Sequence, residues 1–178
     1  MTFAPERHMI RLDRKPQLFS MRVAALIFQN DHILVQRGAG DNYWALPGGR
    51  AEIGESSEET IIREIGEELE RDCSVERLLW SAENFFAYGD YAAHELAFYY
   101  LVSLRQAFPF HESDVVHRVL DGVEVEFRWL RAQSPTLREH GLRPRFIADR
   151  IEVLPPRHEH FIVREGDIDR DEFTEETL

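Results

Sequence analysis

Glu64, Glu67 and Glu68 crowd three carboxylates into five consecutive positions. Carboxylates held within one helical turn repel one another, which raises their proton affinity unless cations sit among them. Such a group suits Mg²⁺, a hard ion that takes oxygen ligands in octahedral geometry, keeps several waters and is satisfied by a few glutamates plus substrate phosphates. On a diphosphate ester, bound ions of this kind would neutralise phosphate oxygens, orient the phosphorus and lower the pKa of a water that becomes the nucleophile. Neither the histidines nor the lone Cys73 is needed for that chemistry. A Glu-Glu pair alone is an ordinary feature of a solvated helix face, so the weight falls on what surrounds it.

The elements that must position these glutamates are legible nearby. From Ser57 to about Arg71 the chain has few breakers and is rich in Glu, Ile and Leu, and Ser56 followed by Glu59 has the form of a capping box. At about 100° per residue, Ile61, Ile62, Ile65 and Leu69 share one stripe, and the three glutamates share the adjoining one. One stripe packs and the other presents carboxylates. Ahead of the helix, Gly38, Gly40, Pro47, Gly48, Gly49 and Gly54 rule out regular structure through most of a long, shaped loop. Met21 to Phe28 and Ile33 to Arg37 are β-branched and apolar around a polar tetrapeptide, and predict two strands joined by a tight turn.

Farther along, Val75 to Tyr88 and His94 to Leu104 predict a second strand pair around Gly89-Asp90-Tyr91, and Val123 to Leu130 alternates as another strand. Phe108 to His117 reads as a surface loop. Pro144 opens a short helix reaching about Ile151, Pro155-Pro156 follows it, and His160 to Val163 would add a last strand at a sheet edge.

Written out together, Gly49, five residues, Glu55, seven residues and Arg63-Glu64-Ile65-Gly66-Glu67-Glu68 resemble the Nudix box, with Trp44-Ala45-Leu46-Pro47-Gly48-Gly49 similar to the lead-in of many members. The end departs from the pattern, since Glu70 stands where glycine is usual and Arg71 where an aliphatic is usual. That glycine lets the helix stop in a left-handed conformation, at a cost of about 1 kcal/mol or more to any other residue. The helix is therefore expected to run slightly longer here, or to end through Asp72. Gly66, inside the helix, is expected to mark a close approach by another backbone.

The resemblance implies an α/β/α sandwich, an α+β fold with a mixed central sheet, and Mg²⁺ as cofactor with Mn²⁺ as a substitute. It assigns Glu64 and Glu68 as principal metal ligands, Glu67 as a third ligand or water-orienting base, and the Gly48 carbonyl as a backbone ligand. Arg63 would fix a glutamate by a bidentate ion pair, and Glu55 would tie the loop to the helix or reach a further metal through water. Glu52 matches an acid that many members carry in the loop. A base outside the box is common in the family, with Glu124, Glu126 and Glu95 as candidates and Glu124 favoured by its place ahead of Trp129. His94 and Glu95 adjoin on a strand, so at most one faces a cleft.

The implied reaction is hydrolysis of a diphosphate bond in a nucleoside diphosphate linked to another moiety, such as ADP-ribose, a dinucleoside polyphosphate or a (d)NTP. Arg37 and Arg50 are candidate phosphate contacts. Tyr43, Phe85, Phe86, Tyr88 and Tyr91 are candidate stacking partners for a base, Phe86 and Tyr88 foremost. The family proline that accompanies ADP-ribose cleavage is missing around Phe86-Ala87, and Tyr88 fits the pattern that accompanies dinucleoside polyphosphates. Two other readings belong to the same resemblance. A silent nucleotide sensor is disfavoured by the intact glutamates, and an isomerase would need a cysteine in the cleft, where Cys73 is poorly placed.

Composition bounds the rest. At 178 residues and 43% apolar the chain predicts one globular domain over residues 21–164, with residues 1–20 as an N-terminal extension and residues 165–178 as an acidic tail. A net charge of −12 argues against nucleic acid as partner. The start, MTFAPERHMIRLDRK, lacks an unbroken apolar stretch, and no run approaches the roughly 20 residues needed to span a bilayer. A cytoplasmic protein without membrane contact is the expectation, and the family admits a homodimer built through the segment before Met21.

Overall fold

The computed structural model describes residues 7–111, 114–120 and 122–165. Two sheets carry the architecture. The larger has the order β1 (Arg11–Arg14), β2 (Gln17–Leu26), β7 (Tyr91–Leu104), β6 (Cys73–Tyr88), β10 (Glu159–Glu165), with β5 (Gly48–Arg50) also pairing β2. It is mixed, because β2 runs parallel to β7 and β6 parallel to β10, whereas β6 and β7 form a long antiparallel hairpin. The smaller sheet, β3 (Phe28–Gln29), β4 (His32–Gly38), β9 (Val123–Arg131) and β8 (Val116–Leu120), is antiparallel throughout.

Alternation along β2 explains how the layers stack. Val23, Ala25 and Ile27 pack with Ile61, Ile65 and Leu69 of α1 (Ser57–Leu69), while Ala24 and Leu26 join the cluster containing Leu137 of α2 (Ser134–Glu139) and Ile147 and Ala148 of α3 (Phe146–Arg150). Buried on both faces, the strand reads as a continuous apolar run. β4 is used the same way, with Ile33 and Val35 in one cluster and Leu34 in the other. The result is the expected α/β/α arrangement around strand layers.

Several boundaries differ from the expectation. The first strand begins at Gln17 rather than Met21, and β1 pairs with it, so residues 11–20 belong to the sheet. The run from Met21 to Phe28 is not one arm of a simple hairpin. It leaves the larger sheet at Ile27 and enters the smaller one as β3, where Asn30 and Asp31, both at positive φ, turn it into β4. Val116–Leu120 is a strand that starts inside the expected loop and runs on past its end, its alternating half-burial supplied by β9. α2 is an additional short helix, with Pro135 in its first turn. Residues 166–178, which hold most of the acidic tail, lie outside the described residues. No helix among those described is long and apolar enough to cross a membrane.

α1 ends at Leu69, not beyond it. Glu70 takes the left-handed conformation itself (φ 53°, ψ 44°) and its N–H donates to the Gly66 carbonyl. The backbone geometry that glycine serves is thus kept, with a Cβ present and the carboxylate paired to Arg118 at 3.1 Å. Nothing approaches Gly66 within 4 Å of where a Cβ would stand, so that glycine marks no close contact.

Candidate active site

The three glutamates differ in burial because they differ in angle from the apolar stripe. Measured from Ile61, Glu68 lies about 20° away, Glu64 about 60° and Glu67 about 120°. The side chains follow that order: Glu68 is 8% exposed, Glu64 15% and Glu67 56%. Ile62, on the far rim of the stripe, is exposed rather than packed.

β5 presses against this face through two glycines. A Cβ on Gly49 would stand 2.3 Å from the Glu64 carboxylate, and one on Gly48, whose φ is 135°, would stand 2.1 Å from the Val23 carbonyl oxygen. At Gly48 only glycine fits, because the clash is with backbone, whereas a Cβ at Gly49 would have to displace the Glu64 carboxylate. The Gly48 N–H donates to Glu68 Oε2 at 2.9 Å. Burial, followed by the neighbouring Glu64 charge, pushes the Glu68 carboxyl up to about 8. Burial also raises Glu64, against the pull of Arg63.

Arg63 is the hub of the loop. Its guanidinium donates to both oxygens of Glu55 (2.7 and 2.9 Å), to Glu64 (2.8 Å), to Glu67 (3.2 Å) and to the Arg50 carbonyl (3.2 Å). Glu55 also accepts from the Thr60 hydroxyl and the Glu52 N–H, and its bonds to Arg63 hold its carboxyl down at about 2. Glu52 faces Arg7 at 3.6 Å.

Beside these groups opens a cavity of about 710 Å³. Its wall includes five arginines, Arg22, Arg37, Arg50, Arg143 and Arg145, the acceptors Gln36, Asn84 and Glu95, and the aromatics Tyr43, Phe86 and Tyr88. The box glutamates are not on that wall. Arg22 connects the two, since it lines the cavity while donating to the Gly48 and Leu46 carbonyls at 3.0 and 3.2 Å. Asn84 is oriented without ambiguity, because its Nδ2 donates to Glu95 and to the Tyr99 hydroxyl, and a flip would set its oxygen against a carboxylate.

The family model for the NUDIX domain matches residues 18–149, from the start of β2 to the end of α3. The chain belongs to this family. Among curated proteins, YjhB of Bacillus subtilis (strain 168), a candidate ADP-ribose pyrophosphatase, is 42% identical over 57 residues, which cover 32% of this chain and only 27% of that protein. Among solved structures, a UDP-X diphosphatase superposes with a TM-score of 0.58 at 24% identity, over 80% of this chain and 66% of the other. A Nudix hydrolase from Nitrosomonas europaea gives 0.57 at 23% identity, over 75% and 86%. At these identities the likeness shows the fold.

Set on the Nudix fold, the residues singled out in the sequence fall into two groups. Gly48, Gly49, Glu55, Arg63, Glu64 and Glu68 are brought together in one bonded unit. Arg37, Arg50, Phe86 and Tyr88 line the cavity, although Arg37 is also stacked over Trp44 and paired with Glu126 at 2.5 Å. Glu124 joins neither group: it is 56% exposed, pairs with His117 at 3.3 Å and is absent from the cavity wall. Of the acids outside the box, Glu95 lines the cavity and its neighbour His94 instead stacks on Phe85. Phe85 and Tyr91 face elsewhere, Tyr91 reaching Asp13. Arg22, Asn84, Arg143 and Arg145 were not singled out in the sequence. The visible trace is a polar residue interrupting an apolar or aromatic strand (Arg22, Asn84) and a basic pair flanking a proline (Arg143, Arg145).

Nudix proteins in general use divalent metals. Among the described residues no three His, Cys, Asp or Glu side chains gather as ligands of one ion, and Glu67 turns outward to Arg63 and Arg7. What is present is an oxygen-only pair, Glu64 and Glu68, beside the Gly48 carbonyl. That set fits a hard ion that takes its remaining ligands from water and substrate. Cys73 is buried in the α1 cluster with its thiol pushed up by burial, so it offers the site no nucleophile.

Proposed function

We propose that the protein hydrolyses a phosphoanhydride bond in a nucleoside diphosphate linked to a second moiety, with Mg²⁺ as cofactor and Mn²⁺ as its substitute. One observation carries the reading: the buried carboxylates Glu64 and Glu68, seated on a glycine pair, adjoin a cavity whose wall carries five arginines. Such a wall suits a ligand with two or more phosphates. The bound ion would polarise the phosphoryl group and acidify a water.

The chain's own residues supply the remainder. Glu64 and Glu68 would hold the ion, and Arg63 keeps Glu64 and Glu55 in place. Glu67, the outward carboxylate, takes the proton of the attacking water. Arg50 and Arg143 meet phosphate oxygens, Phe86 or Tyr88 stacks on the base, and Asn84 with Glu95 accepts hydrogen bonds from hydroxyls or amino groups of the linked moiety. The acceptors favour a hydroxylated partner such as ribose, in keeping with the ADP-ribose assignment of the B. subtilis relative.

The test is turnover with Mg²⁺ against ADP-ribose, UDP-sugars, dinucleoside polyphosphates, NADH and (d)NTPs. The expected result is cleavage of a nucleoside diphosphate derivative into two phosphorylated products. Tight binding of one compound with no cleavage of any would replace the hydrolase by a nucleotide sensor.

A further inference from the structure

The Gly48 carbonyl oxygen has two lone pairs, and both have partners: Arg22 Nη2 at 3.0 Å and Gln36 Nε2 at 3.3 Å. The N–H of the same residue donates to Glu68 at 2.9 Å. A divalent ion drawing on that carbonyl together with Glu64 and Glu68 therefore meets a guanidinium already in place, and two cations at bonding distance from one oxygen repel each other. Gln36 is neutral and can stay. Arg22 is the one that repulsion removes, and it lies on the wall of the cavity, with open space beside it.

We propose that Arg22 is a positioning residue that a divalent ion displaces from the Gly48 carbonyl, and that the released guanidinium then binds a phosphate of the substrate in the cavity. The inference rests on the metal-dependent diphosphate reading above. Its consequence is that ion and substrate strengthen each other's binding through one side chain, a coupling that must be reciprocal. A fixed phosphate-binding arginine would show no such exchange.

The experiment measures Mn²⁺ binding to the full chain by electron paramagnetic resonance of the free ion, with and without α,β-methylene-ADP, whose diphosphate linkage resists hydrolysis. In the unaltered protein the analogue should tighten Mn²⁺ binding. Arg22→Gln should bind Mn²⁺ alone about ten-fold more tightly, the scale of one charge-assisted hydrogen bond no longer displaced, and should lose most of the tightening by the analogue. Arg22→Lys keeps the charge without the fork and should fall between the two. Arg50→Gln removes a charge from the same wall without touching the Gly48 carbonyl and should leave Mn²⁺ affinity within about two-fold.

Mn²⁺ affinity in Arg22→Gln that equals or falls below that of the unaltered protein would overturn the exchange. An equal gain in Arg50→Gln would overturn it too, reducing the effect to net charge. Absence of Mn²⁺ binding in the unaltered protein would instead remove the metal reading beneath it. Thermal melting of each variant shows whether the fold is retained.

Discussion

The glutamate-bearing helix with its loop and the cavity wall are built on opposite plans. The first is local, running from Gly48 to Glu68 and knitted by Arg63, the Gly48 N–H and a capping box at Ser56. The second is collected from β2, β4, β6, β7 and the segment after α2, so that Arg22, Asn84 and Arg143 meet only because the chain folds. The difference separates two jobs. On the proposed reading, a continuous bonded segment would hold the metal-binding carboxylates in a fixed geometry, whereas a wall of independent side chains could change one residue at a time and alter which molecule is held.

The comparison breaks most visibly at Glu68. Glu68→Gln is expected to lower kcat on the order of a thousand-fold or more, measured on whichever substrate the panel reveals. It should also stabilise the protein. A carboxyl held at about 8 against an ordinary 4.5 contributes stability that is full below 4.5 and is lost progressively as pH rises through 8. The gain in Tm of the variant should therefore be small at pH 5 and largest at pH 9. A flat difference across that range would contradict the burial argument.

Next in size is Gly49→Ala, whose added Cβ must push the Glu64 carboxylate from a position 2.3 Å away. A loss of about a hundred-fold in kcat is expected, with the fold intact by circular dichroism. An active variant would show that Glu64 reacts from elsewhere. On the wall, Asn84→Ala or Glu95→Gln should raise KM about ten-fold with kcat little changed, and more for a ribose-linked substrate than for its deoxy analogue. If kcat fell instead, the wall would be part of the reacting centre. The smallest effect expected is at Glu124, where Glu124→Gln should leave turnover unchanged and stability within about 0.5 kcal/mol.

A pH series sharpens the local half of the contrast. Glu55, held at about 2 by its bonds to Arg63, contributes stability that is present above its ordinary value and lost as pH falls from 4.5 through 2. Urea melts between pH 6 and 3 should show a decline in the unaltered protein that is shallower in Glu55→Gln.

What could be read from the sequence divides along the same line. The helix, its cap and the register of the loop were legible because each depends on neighbours in the chain, and a fixed spacing of glycines and acids encodes them. The fold class followed from the same pattern together with the aromatic and β-branched runs of β6 and β7 and the alternation in β9. β1 and β8 were not legible, since their residues are exposed or half-buried and become strands only through β2 and β9. Arg22 and Asn84 look like polar lapses in apolar runs until a parallel pairing with β7 and an antiparallel hairpin bring them to one face. Glu124 illustrates the converse, because proximity to Trp129 in sequence carried no information about its side chain, which belongs to His117.

Glu70 ends α1 in the conformation where glycine is customary. The last glycine of the box thus records a pair of backbone angles, and a residue with a side chain can meet the same requirement at a cost of about 1 kcal/mol. A search that insists on the letter would pass over this chain although its glycine pair, Glu55, Arg63, Glu64 and Glu68 keep their register. For protein engineering the position is a reserve: Glu70→Gly trades the exposed pairing with Arg118 for a relaxed helix end, and touches no residue of the chemistry.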